Sequence, residues 1–189
     1  DDDWANNAGK AYLVLGKSLV APGSEFDLAF ADYTFVCADD SCEAGRSVSG
    51  AGDIDQDGLD DIIIGAPLND INGTNDGSAY VIFGEQLAAR GGDLNLDQSD
   101  WVVLGQEDHD LLGGTIASAG DVDGDGLEDL LIGSHENDTN GDRSGEVYLV
   151  LGSQVEASWP DGGVIGADDN QRFYGSAALD YAGYDVDSA

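Results

Sequence analysis

Asp53-Ile-Asp-Gln-Asp-Gly-Leu-Asp-Asp61 and Asp121-Val-Asp-Gly-Asp-Gly-Leu-Glu-Asp129 share one design and open 68 residues apart. Carboxylates fall at positions 1, 3, 5 and 9: Asp53, Asp55, Asp57 and Asp61, then Asp121, Asp123, Asp125 and Asp129. Glycine stands at position 6 and leucine at position 7 in both loops (Leu59, Leu127). Alternate acids on a tightly wound loop point inward together, and glycine permits the sharp turn that the wrap demands. The carbonyl of position 7 adds another oxygen, while its apolar side chain is expected to leave toward the core. Such an oxygen-only shell suits Ca2+, which predicts two structural calcium sites. The alternative is an acidic turn that binds nothing. An EF-hand begins the same way but needs a bidentate Glu at position 12, where this chain has Ile64 and Ile132.

The 68-residue interval extends beyond the loops. Gly9-Lys-Ala-Tyr-Leu-Val-Leu-Gly16 recurs as Gly77-Ser-Ala-Tyr-Val-Ile-Phe-Gly84 and as Gly145-Glu-Val-Tyr-Leu-Val-Leu-Gly152. A small-residue approach (46–51, 114–119) precedes each loop, and an apolar run (59–64, 127–132) follows it. With the Tyr-bearing segments (79–83, 147–151) and a fourth near Trp101–Leu104 or Arg172–Tyr174, each unit reads as four short strands. Helical periodicity is confined to Gly84–Arg90. Four-stranded units at this interval predict an all-β fold of β-propeller blades, two complete and one partial at each end. The expected divisions are 1–45, the end of a preceding blade; 46–112 and 113–182, complete blades; and 183–189, the first strand of a following one. In this frame Asp185 and Asp187 fall on an approach strand and are not metal ligands.

The composition narrows the function. Six basic residues face 39 acidic ones in 189, a net charge of −33, so nucleic acid and anionic membranes are excluded as expected partners. No apolar run is long enough to span a bilayer. The chain has no methionine, which suggests a piece of a longer protein or a processed product. Cys37 and Cys42, with four residues between them, read as a small disulfide loop, free thiols being the alternative.

Neither histidine, His109 or His135, stands in an arrangement that reads as an activated nucleophile. His135 reads as a solvated turn residue, and Asp60 and Glu128 as solvent-facing. Phe26, Phe30, Tyr33, Trp101 and Trp159 are the aromatic residues of the variable connections and the candidates for contact with a ligand.

These residues resemble the FG-GAP repeats of the integrin α-subunit propeller and its bacterial relatives. The likeness rests on the two Asp-x-Asp-x-Asp-Gly-x-x-Asp loops, Gly65-Ala66-Pro67 and the Tyr-bearing third strand, with Tyr174-Gly175 approximating the aromatic-glycine pair. The second unit departs from it with Gly133-Ser134-His135 where Gly-Ala-Pro is expected, and Leu104-Gly105 replaces the aromatic-glycine pair in the first. The resemblance implies about seven blades, calcium between strands one and two, and extracellular adhesion or recognition of a protein or glycan through loops of the opposite face. It implies no catalysis. The alternatives are a self-assembling repeat of a surface fibre or matrix protein, associating through its incomplete blades, and a non-catalytic propeller carried by a secreted hydrolase.

Overall fold

The computed structural model describes residues 8–19, 25–37, 41–158, 163–164 and 171–188, the last three residues of 41–158 and the pair 163–164 by backbone alone. Trp159 lies outside them. Two strands of a first sheet, β1 (Lys10–Leu13) and β2 (Tyr33–Val36), come first in the chain. The first loop-bearing unit follows: β3 (Ser47–Gly52), β4 (Asp61–Ala66), β5 (Ser78–Ile82), helix α1 (Gly84–Arg90), β6 (Gly92–Asn95) and β7 (Trp101–Leu104). The second repeats it with β8 (Thr115–Gly120), β9 (Asp129–Ser134), β10 (Glu146–Val150), helix α2 (Gly152–Ser158), β11 (Gly163–Val164) and β12 (Gln171–Tyr174). The sheets run β1-β2-β6, β3-β4-β5-β7-β11 and β8-β9-β10-β12. Within each unit the four main strands pair antiparallel in sequence order, as expected of propeller blades.

The apolar runs form strands because both faces of the middle sheet are covered, so they need not alternate with polar residues. Successive side chains still divide between the faces. Ile64, Tyr80 and Ile82 turn toward the first sheet and meet Ala11, Phe35 and Leu94. Ile63, Val81 and Val103 turn the other way, to Ile116, Leu130 and Tyr148 of the third. The repeated tyrosines Tyr80 and Tyr148 are both 1 % exposed and give their hydroxyls polar partners. The Asn69 amide donates to Tyr80 at 2.8 Å, and Tyr148 donates to the buried Glu146 carboxylate at 3.0 Å. Neighbouring blades touch backbone to backbone: a Cβ on Gly65 would stand 2.0 Å from the Gly113 carbonyl, and one on Gly133 2.3 Å from that of Gly183.

Three features depart from the sequence expectation. The second strands start at Asp61 and Asp129, two residues later than expected, because residues 59–60 and 127–128 still belong to the loops. Helix α2 was not foreseen, although it stands 68 residues after α1. The short strands β6 and β11 are also additional. Each leaves its own unit and pairs in parallel with the outermost strand of the preceding sheet, β6 on β2 and β11 on β7.

Candidate metal centres

Each acidic loop hangs between the first and second strands of its blade, just after a shift in register (Gly50/Gly52, Ser118/Gly120) that bends the ladder. The loops are wound by their own carboxylates. Asp53 accepts from the Gly58 amide at 3.1 Å and Asp55 from that of Asp57 at 3.1 Å, while Asp57 accepts from Leu59 at 2.7 Å. In the second loop Asp121 accepts from Gly124, Asp125 and Gly126 at 2.7 to 3.0 Å, Asp123 from Asp125 at 3.1 Å, and Asp125 from Leu127 at 2.8 Å. The glycines at position 6 have φ 89° and 91°, in the region that side chains other than glycine rarely enter.

The ninth position ties loop to blade. Asp61 is fully buried and accepts from the Ile54 amide across the loop and from Gly84, the first residue of α1, both at 2.8 Å. Asp129 repeats this with Val122 at 2.8 Å and Gly152, the first residue of α2, at 2.9 Å. Asp53, Asp55 and Asp61 each bring a carboxylate oxygen within 4.8 Å of the others, and so do Asp121, Asp123 and Asp129. Asp57 and Asp125 stand outside these trios, each capping its own turn.

The electrostatics of the first loop fit a cation. Burial pushes the Asp61 carboxyl up to about 6, against the pull of its two amide donors and helped by the charges of Asp55 and Asp57. Burial likewise raises Asp55, and Asp57, Asp53 and Glu85 add to the repulsion. One Asp53 oxygen, Oδ1, is buried with no hydrogen-bond partner. A set of converging carboxylate oxygens, one of them left without a hydrogen-bond partner, is the donor set that a hard dication takes, so the residues fit Ca2+.

Other expectations need correction. Leu59 does not enter the core: it is 46 % exposed, whereas Leu127 is 6 % exposed. The second position is reversed, with Ile54 buried and Val122 53 % exposed. The second contrast follows from the neighbours. Ile54 packs in the core shared with the third sheet, and Val122 lies on that sheet's uncovered side. Glu128 does not simply face solvent, since it lies over Gly52 and accepts from Ser118 Oγ at 3.2 Å. His135 is half-buried, its ring edge-to-face with Tyr184 at 5.3 Å. Trp101 is 4 % exposed and belongs to the core, which removes it as a ligand platform. Cys37 and Cys42 form a disulfide.

Among the described residues no helix is long and apolar enough to cross a membrane. The FG-GAP repeat family model matches residues 44–82 and 113–150. Over 90 residues the chain is 40 % identical to "Integrin alpha-5" of Xenopus laevis, covering 48 % of this chain and 8 % of that protein. It is 28 % identical over 164 residues to "Integrin alpha pat-2" of Caenorhabditis elegans, covering 86 % of this chain and 12 % of the relative. The Caenorhabditis briggsae protein of the same name is 32 % identical over 90 residues, 48 % of this chain and 7 % of that one. The chain therefore spans only a small part of the relatives it matches. The FG-GAP match falls on the first three strands and the acidic loop of each unit, and through these the chain is similar to FG-GAP repeats and to integrin α-subunits.

Proposed function

We propose that the chain is a calcium-stabilised, non-catalytic recognition module of an extracellular protein. The observation that carries the calcium reading is the repeated trio of converging carboxylates, together with the unpartnered buried oxygen of Asp53. Asp53, Asp55 and Asp61 would hold one ion, and Asp121, Asp123 and Asp129 the other. Asp57 and Asp125, and the carbonyls of Leu59 and Leu127, complete the proposed shells. Bound Ca2+ supplies positive charge where the acids otherwise repel one another. The protein's own contribution is geometric: the ninth-position carboxylate fixes each loop to the start of the following helix.

Two ions would lower the net charge only from −33 to −29, so their effect is local. The adhesive role rests on the similarity to integrin α-subunits and on the loops remote from the acidic ones. A disulfide in the chain suits an extracellular setting. Isothermal titration with CaCl2 tests the metal reading. Two binding events are expected, and an absence of heat in the correctly folded, metal-stripped protein contradicts them.

A further inference from the structure

Two stretches of the chain carry the Asn-x-Ser/Thr pattern that accepts an N-linked glycan, Asn72-Gly73-Thr74 and Asn137-Asp138-Thr139. Both lie in connections from the second strand of a blade to the third, at the end remote from the acidic loops. Their surroundings differ. Asn137 is 3 % exposed and its side-chain amide is committed at both ends. Its Nδ2 donates to the buried Asp110 carboxylate at 3.0 Å, and its Oδ1 accepts from the Thr139 amide at 2.9 Å. A saccharide on that nitrogen has no room.

Asn72 and Thr74 are both exposed. Asn72 Nδ2 donates to the Gly105 carbonyl at 3.1 Å, which uses one of its two N–H groups and leaves the other for substitution. The loop is held from beneath by carboxylates. Asp76 accepts from the Asn72 and Gly73 amides at 3.1 and 3.0 Å, and Asp108 accepts from the Thr74 amide at 2.8 Å. The second unit builds the same turn without the motif. Asn140 stands 68 residues after Asn72, is exposed like it, and donates to the Gly175 carbonyl at 2.7 Å. Two residues on, however, the hydroxyl of Thr74 is replaced by the exposed carboxylate of Asp142.

We propose that Asn72 is the N-glycosylation site of these loops and that Asn137, despite its motif, is not. The inference rests on the extracellular reading above, because the transferase and its donor, an oligosaccharide carried on a lipid diphosphate, belong to the secretory route. In the transfer, Asn72 Nδ2 bonds to the anomeric carbon of the first sugar. The bond from that carbon to the diphosphate oxygen breaks, and the lipid diphosphate leaves with the electron pair. The amide proton passes to a base of the transferase. The substituted amide keeps one N–H, which is compatible with the bond to Gly105. The glycan then stands at the end of the blade away from both acidic loops, clear of the proposed calcium sites.

Secretion of the chain from a eukaryotic host tests this, with peptide mapping after enzymatic removal of N-glycans in heavy-oxygen water. Each formerly occupied asparagine is then read as a labelled aspartate. In the folded protein a glycan at Asn72 and none at Asn137 is expected. Asn72→Gln and Thr74→Ala are each expected to abolish it, while Asp142→Thr is expected to add a second glycan at Asn140, a gain that misfolding does not imitate. Circular dichroism confirms that the variants fold. A bare Asn72 in the folded protein overturns the proposal, as does a glycan at Asn137 there. Retained and secreted protein are mapped alike, so Asn72 is scored even where export fails. A chain occupied at Asn72 yet never exported counts against the extracellular reading alone, so the two can fail separately.

Discussion

Asp55 and Asp123 carry the simplest test at the residue scale, because each belongs to a trio of converging carboxylates yet donates nothing to the strand ladder. Asp55→Asn removes one charge from the first shell and is expected to weaken calcium there by about tenfold or more. The second site should keep its affinity. Titration calorimetry separates the two sites, and equal losses at both would point to unfolding rather than ligation.

Glu146 offers a pH test away from the metal loops. It is fully buried, and Arg172 Nη1 stands 3.1 Å from its Oε1 in an ion pair not directed well enough to be a hydrogen bond. Burial raises its carboxyl above the usual 4.5, although Tyr148 and Arg172 pull it back. The folded state therefore binds a proton at a pH where the unfolded chain has already lost it. Its ionisation penalty is present in full above the raised value and disappears as pH falls toward 4.5. Wild type should accordingly gain stability relative to Glu146→Gln as pH is lowered through that window. Paired urea melts read this difference, and the surface acids, common to both proteins, cancel.

At the scale of elements, the main strands were legible because their β-branched and aromatic runs recur at a fixed interval between Gly and Asp punctuation. The same interval contained α2, whose sequence Gly152-Ser-Gln-Val-Glu-Ala-Ser158 is weakly helical but stands where α1 predicts it. β6 was not legible. Gly92-Asp-Leu-Asn95 has one apolar residue and poor strand propensity, and it extends only because the edge of β2 offers it partners. Nor did the spacing reveal the difference between Leu59 and Leu127, identical in type and position yet one exposed and the other buried. The junction between blades is equally strict: Gly65→Ala places a methyl against the Gly113 carbonyl and Ser47 Oγ, where there is no room. A loss of about 3 kcal/mol in unfolding free energy is expected, read from the urea midpoint. A neutral result would mean that adjacent blades are less closely apposed.

For the whole molecule, the sequence carries the repeat, the blade and the acidic loops, but identifies no ligand. A binding surface is assembled from loops of several blades, and their side chains follow no period that spacing could reveal. What holds the molecule together is better defined. Each cage joins its first and second strands and, through Asp61 or Asp129, the helix beyond the third. In each cage three carboxylates converge within 4.8 Å of one another. Each site kept at a hundredfold excess over its Kd adds about 2.7 kcal/mol, which for two sites in a chain of this size amounts to roughly 10–20 °C in Tm. The most direct test is the melting temperature of the metal-analysed protein in CaCl2 and after chelation. The proposed calcium reading predicts two bound Ca2+ and a fall of that order when they are removed. An unchanged melting temperature, or a protein that carries no calcium, would contradict it.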